Sequence, residues 1–112
     1  MADVLGTFEQ AVLLAVVRLS DAAYGRAILT DVQQRLGRDV AAGAVHATLE
    51  RLERKALITS RLGSGTAVRS GRARRYYRIQ SQGARALNDA REAIQALWLG
   101  VNWPIAKAKG SR

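Results

Sequence analysis

The segment Ala42–Ala56, with the sequence AGAVHATLERLERKA, carries the clearest structural pattern in this chain. Val45, Leu49 and Leu52 recur at the spacing of a narrow apolar stripe, which predicts a helix with one buried edge. Small and polar residues fill its first turns, and basic residues follow in its last turns. Such a helix suits insertion into a DNA major groove, which is about 12 Å wide and admits a single helix. Many surface helices share this pattern, so the flanking sequence has to decide.

Basic residues are concentrated on this stretch and just after it. The chain has 112 residues and a formal net charge of +9, from 18 Lys and Arg against 9 Asp and Glu. Nine of those basic residues lie within residues 50–78, together with only two acids, Glu50 and Glu53. Segregation of this kind is the electrostatic footprint of a nucleic-acid binder, whereas an even spread would indicate solubility alone.

The composition argues against several classes of function. With no cysteine and a single histidine, His46, the chain has no disulfides, no thiol nucleophile and no ligand set for a tetrahedral metal site. The acids are scattered and no GxxxxGK loop occurs, so we expect neither an enzyme nor a cofactor. The longest apolar run, Ala11–Val17, is far too short to span a membrane. Asp3 stands where a signal peptide would be basic, so we expect a cytoplasmic chain.

Two helices are predicted before this stretch. The first has Thr7 as its cap with Gln10 as the capping-box partner, and it is apolar on more than one face. A second chain is therefore expected to cover part of it. The second helix spans about Tyr24–Leu36, and Gly37 is placed to end it. Two helices joined by a short turn that contains glycine form a helix-turn-helix.

A β-hairpin is predicted after the third helix. Segments 57–62 and 72–79 are rich in strand-forming residues, and a Gly-punctuated loop, 63–71, separates them. Arginines are dense in the loop and the second strand, and like charges so close repel one another unless a polyanion offsets them. We therefore interpret the hairpin as a DNA-contacting wing rather than an ordinary hairpin with solvated arginines.

A final helix is predicted after the hairpin, with Ser81 as its cap and Pro104 stopping it near Asn102. Its apolar residues follow a heptad-like seam, formed by Gly83, Leu87, Ala90, Ile94, Leu97 and Val101. Because three helices already supply a core, we expect this seam to face a second chain. The predicted class is mainly α with a small β-hairpin (α+β). It comprises a winged helix-turn-helix domain (1–80), a C-terminal dimerisation helix (81–103) and a flexible basic tail (104–112).

Several separated motifs resemble those of the PadR-like transcriptional regulators. They are Leu5–Glu9, Ala23–Gly25, Gly43–Val45 with Thr48–Glu53, and Gly71–Tyr77 with Gly83 downstream. The resemblance covers roughly residues 5–100. It implies a homodimeric repressor that binds a palindromic operator in double-stranded DNA, with the protomers joined largely through their first and last helices. His46 stands where the family often carries Tyr, and Ala41 stands near the position of a Ser or Thr cap.

The predicted DNA contacts come from the second helix, the start of the third helix and the wing. Helix N-terminal amides favour phosphate, and small residues let the backbone approach it. Arg51 either contacts phosphate or pairs with Glu50 or Glu53, and Tyr24 either positions phosphate or packs in the core. The predicted set is Tyr24, Gly43, Ala44, His46, Ala47, Thr48, Arg51, Arg69, Arg72, Arg74 and Arg75. Strand alternation separates Arg74 and Tyr76 from Arg75 and Tyr77, so not all of them reach DNA.

The predicted dimer interface uses the first and last helices. Its residues are Phe8, Val12, Leu87, Ala90, Ile94, Leu97, Trp98 and Val101. Some members of the resembled family bind flat hydrophobic effectors between their C-terminal helices, so Trp98 is also a ligand candidate. Three functions stay open: a sequence-specific repressor, a winged-helix module that holds a protein partner, and a non-specific architectural DNA binder.

Overall fold

The computed structural model of the chain describes residues 5–63 and 74–102. The helices in these residues are α1 (Thr7–Leu19), α2 (Gly25–Leu36), α3 (Ala42–Arg54) and α4 (Ser81–Trp98). The strands are β1 (Ile58–Leu62) and β2 (Arg75–Ile79), and a short 3-10 helix covers Ser20–Ala22. The predicted order of elements is confirmed, and with it the winged helix class: mainly α, with one antiparallel hairpin.

The cap of α1 lies one residue before the predicted one. Gly6 is the N-cap residue, and Thr7 is already helical. The Glu9 carboxylate closes the first turn by accepting a hydrogen bond from the Gly6 N–H at 3.2 Å, which is half of a capping box. Gln10 instead donates its side-chain amide to the Leu5 carbonyl at 2.9 Å. The predicted pairing of Thr7 with Gln10 is therefore wrong, because the third helical residue is Glu9.

The turn between α2 and α3 follows the prediction. Gly37 ends α2 with a φ of 68°, in the left-handed region that glycine adopts at little cost. Gln33 donates its side-chain amide to the Val40 carbonyl at 3.0 Å and so fixes the path of the turn. Ala41 is the N-cap residue of α3 and has no side chain that can cap the helix. The leading end of α3 therefore keeps its amides free of a side-chain cap.

One apolar core joins α1, α2, α3 and the hairpin. The largest fully buried side chains are Leu13, Ile28, Leu49, Leu52, Ile58, Val12, Val16, Val32 and Thr48. Burial of each Leu or Ile side chain stabilises the fold by roughly 1.5–3 kcal/mol. α3 contributes one edge to this core, and the opposite face of the helix stays open.

The hairpin is tied to α2 as well as to α3. β1 and β2 pair antiparallel, with Ile58 opposite Ile79. The Tyr77 N–H donates to the Ala23 carbonyl at 2.9 Å, and an isolated bridge joins Tyr24 to Tyr76. These backbone contacts fix the base of the wing beside the first residue of α2.

The start of α4 packs on the junction between α3 and β1. The Gln80 N–H donates to the Leu57 carbonyl at 2.9 Å. A Cβ at Gly83 would lie 2.3 Å from the same carbonyl oxygen and 2.9 Å from Ile79 Cγ1. Gly83 was expected on a seam between two chains, and this is corrected: the residue is glycine because its own chain leaves no room for a side chain.

Candidate nucleic-acid interface

The face of α3 that points away from the core is exposed along the whole helix. Only Val45, Thr48, Leu49 and Leu52 are buried. The stripe opposite them runs at 4-3-4 spacing through Gly43, Ala47, Glu50 and Arg54. We call these four residues the outer stripe. Among the predicted contacts, Gly43, Ala44, His46 and Ala47 all lie on the exposed side of the helix. A Cβ at Gly43 would meet nothing within 4 Å, so this end of α3 has a low profile.

Thr48 is not available for a DNA contact. Its exposed fraction is 2%, and its hydroxyl accepts a hydrogen bond from Arg51 Nη2 at 3.2 Å. The prediction that Thr48 lies at the groove is corrected. The buried edge of α3 is one residue wider than the apolar pattern indicates, because a threonine methyl packs in the core while its hydroxyl bonds within the helix.

Arg51 pairs with an acid on another helix. Arg51 Nε and Lys55 Nζ each lie 3.2 Å from Glu9 Oε2, on α1. Burial of the Glu9 carboxylate would by itself raise its pKa. The hydrogen bonds from Gly6, Arg51 and Lys55 outweigh that effect, so the pKa lies below its ordinary value. Arg51 therefore pairs with neither Glu50 nor Glu53, and its charge helps to hold α3 against α1.

Two arginines and two tyrosines stack at the base of the wing. The Arg74 guanidinium lies 4.2 Å from the centre of the Tyr24 ring, and that ring meets Tyr76 edge to face at 5.7 Å. Arg61 lies 5.2 Å from the Tyr76 ring centre. We call Arg74, Tyr24, Tyr76 and Arg61 the Arg–Tyr stack. In this stack, two guanidinium groups pack against two tyrosine rings next to the start of α2.

Arg61 is a candidate contact residue that is absent from the predicted set. It lies directly opposite Tyr76 in the sheet register, on the same face of the hairpin. Side chains alternate between the two faces of a strand, so pairing β1 with β2 in the sequence would have placed Arg61 on the same face as Arg74 and Tyr76.

Arg75 and Tyr77 face α3, on the other side of the hairpin. Arg75 Nη1 donates to Ser60 Oγ at 3.0 Å, and Ser60 Oγ donates to Glu53 Oε2 at 2.7 Å. Tyr77 is buried, and burial raises the pKa of its hydroxyl; Arg75 opposes this rise, while Glu53 and Glu50 add to it. The predicted alternation along β2 is confirmed, and Arg75 has a partner inside the protein.

Some predicted residues lie outside the part of the chain that the structure describes. These are Arg69 and Arg72, most of the loop 63–71, and the tail 104–112. Their roles stay predictions. Within residues 5–63 and 74–102, no set of His, Asp and Glu side chains is grouped closely enough to hold a metal ion. No helix in the same ranges has the length and apolar character to cross a membrane.

The predicted dimer surface needs correction at two positions. Val12 and Ala90 are almost completely buried in their own chain, so neither side chain can pack against a partner. Phe8 and Leu87 are partly buried against the same core. Ile94, Leu97, Trp98 and Val101 are about half exposed or more. Because α4 leans onto α1, the seam is buried at its start and open only at its end.

A groove of about 670 Å³ lies between α1 and α4. Its apolar lining includes Leu14 and Val17 from α1 with Leu87 and Ile94 from α4. Leu14 and Val17 are exposed, and they were missing from the predicted interface. The sequence did indicate such residues, because α1 is apolar on more than one face and its own chain covers only one of them.

The described elements define a class of protein. A helix-turn-helix with an open second helix, an antiparallel wing and one further helix is a winged helix-turn-helix protein of the kind that binds DNA. The family model described as the transcriptional regulator PadR-like family matches residues 13–89. The chain belongs to the PadR-like family of transcriptional regulators.

Solved structures of other proteins share this fold. A PadR-like transcriptional regulator from Bacillus cereus strain ATCC 14579 is 24% identical with a TM-score of 0.67, covering 87% of this chain and 89% of that one. A PadR-like transcription factor from Bacteroides fragilis is 22% identical with a TM-score of 0.72, and the match covers 87% of this chain and 88% of that one. A PadR family transcription regulator from Clostridium difficile R20291 is 24% identical with a TM-score of 0.64, and the match covers 83% of this chain and 95% of that one. Comparison with curated protein sequences gives no match.

Proposed function

We propose that the protein is a homodimeric repressor that binds a palindromic DNA operator and blocks a promoter by occupying it. The observation that carries this proposal is the open face of α3, with the low-profile residues Gly43 and Ala47 at its leading end. PadR-like regulators bind DNA, and a helix with such an end can bring its backbone close to base edges in the major groove. We expect the protein to act in the cytoplasm, on nucleoid DNA, and without catalysing a reaction.

The Arg–Tyr stack supports the DNA contact from a second side. Arg74 and Arg61 are both exposed, and the tyrosine rings restrict where their guanidinium groups can lie. A guanidinium held in place loses less conformational freedom when it pairs with a phosphate. We propose that these two arginines contact the DNA backbone, together with Arg69 and Arg72.

The groove between α1 and α4 supports the dimer. Large apolar side chains are exposed on both helices, and contiguous apolar surface marks an interaction site. We propose a second copy of the chain as the occupant, because a two-fold dimer of this kind presents two α3 helices to a palindrome. The two helices would have to lie about 34–36 Å apart to enter successive grooves on one side of the duplex.

A repressor also needs a means of release. Trp98 is half exposed at the end of α4, where a partner helix would approach it in the proposed dimer. We propose a small, flat hydrophobic effector that stacks on Trp98 and changes the spacing of the two α3 helices. Chemical shift perturbation of the Trp98 indole by a panel of such compounds tests this.

Selection of bound sequences from a random pool of DNA duplexes tests the main proposal. A repressor of this type should recover an inverted repeat with its half-sites about one helical turn apart. Recovery of no preferred sequence would indicate an architectural DNA binder. Absence of DNA binding would indicate that the hairpin holds a protein partner instead.

A further inference from the structure

Glu50 is an acid in the middle of a surface that is otherwise small or basic. It lies on the outer stripe of α3 with Gly43 and Ala47 before it and Arg54 after it. Its side chain is 61% exposed. In the proposed complex, which this inference takes as its basis, Glu50 would project toward the floor of the major groove.

Two other acids near α3, Glu9 and Glu53, already have partners within the protein. Glu9 accepts hydrogen bonds from Arg51 and Lys55, and Glu53 accepts one from Ser60. The partner of Glu50 among the described side chains is His46, whose Nε2 lies 3.3 Å from Glu50 Oε2. An ionised carboxylate can accept about four hydrogen bonds, so a single imidazole leaves most of that capacity unused.

A free carboxylate on a DNA-facing surface weakens binding, because it repels the phosphates on both sides of the groove. That cost is offset when the carboxylate accepts a hydrogen bond from DNA. Among the base edges in the major groove, the N4 amino group of cytosine is the donor that Glu and Asp recognise. His46 lies one helical turn before Glu50, on the same exposed side of α3.

We infer that Glu50 is a specificity-determining residue that reads one cytosine in each half-site of the operator. Arg54 and the backbone at Gly43 flank it on the outer stripe. The structure thus assigns base reading to the centre of α3, and it leaves the charges of Arg51 and Lys55 to the contact with α1.

The test compares three variants with the wild-type protein by selection from a random DNA pool. Glu50→Gln should change the preferred base at one position per half-site from cytosine to adenine, because an amide pairs with adenine N6 and N7. Glu50→Ala should lose the preference at that position and keep the others. Glu92→Gln removes the same charge from an exposed site on α4 and should select the wild-type sequence.

Affinities for defined duplexes make the test quantitative. Replacing the selected C·G pair should weaken wild-type binding about ten-fold, within the range of a single good base contact, and weaken Glu50→Ala less than about two-fold. If both Glu50 variants select the wild-type sequence and merely bind all DNA more tightly, Glu50 acts only through its charge and the inference is overturned. If the wild-type protein selects no sequence at all, the proposed function fails and this inference fails with it.

Discussion

Gly83 packs against backbone that cannot move aside. The clash of an added Cβ with the Leu57 carbonyl oxygen should make Gly83→Ala destabilising by about 1–3 kcal/mol, the usual cost of overpacking. This loss should exceed the gain from the higher helix propensity of alanine, which is at most about 1 kcal/mol. Urea unfolding followed by circular dichroism measures the change.

Gly43→Ala is the matched control for that substitution. It is the same change in a helix, but the added Cβ meets nothing within 4 Å. Its free energy of unfolding should be equal to that of the wild type or slightly higher. Equal stability of the two alanine variants would show that α4 does not rest on Leu57.

Glu9 links the first turn of α1 to the last turn of α3. Because its pKa is lower in the folded state, the stabilisation is complete above its ordinary pKa and is lost as the pH falls through the folded value. The difference in unfolding free energy between wild type and Glu9→Gln should therefore be constant above about pH 5 and shrink toward pH 3. Urea titrations across this range measure it. A difference that does not depend on pH would contradict the ion pairs.

Among the elements, the sequence predicted the four α-helices and the two strands, but not what covers each face of a helix. The spacing of Val45, Leu49 and Leu52 identified three residues of the buried edge of α3 but not Thr48, which is buried beside them. The same logic placed Val12 and Ala90 at a dimer interface, because a stripe does not say whether its cover is the same chain or another. Pairs that are far apart in sequence, such as Glu9 with Arg51, left no periodic signal at all.

The open groove between α1 and α4 gives a prediction for assembly. Leu14→Glu places a charge on an exposed part of the groove, so the monomer should still fold while a dimer across this surface should dissociate. Analytical ultracentrifugation should show a dimer for the wild type and a monomer for the variant. Gln34→Glu, an exposed position on α2, adds the same charge elsewhere and should leave the dimer intact. A monomeric wild type, or a dimeric Leu14→Glu, would remove this groove as the interface.

For the whole molecule, the excess of basic charge predicts binding that weakens steeply with salt. Each phosphate contact contributes about 0.9 to the slope of log affinity against log salt. Arg74→Ala should therefore reduce the slope by about 0.9 for each subunit that makes the contact. Arg85→Ala on α4 removes an equal, exposed charge and should leave the slope unchanged. Fluorescence anisotropy at several salt concentrations measures both. Equal slopes for the two variants would argue against a role for the Arg–Tyr stack in DNA binding.

The Leu57 carbonyl is where three elements meet within a few ångströms. It ends the turn after α3, it leads directly into β1, and the first turn of α4 rests on it through Gln80 and Gly83. The backbone of α4 at Gly83 packs directly against the backbone at Leu57, with no side chain between them. We therefore expect a change in the orientation of α4 to move the end of α3 and the start of β1 together with it.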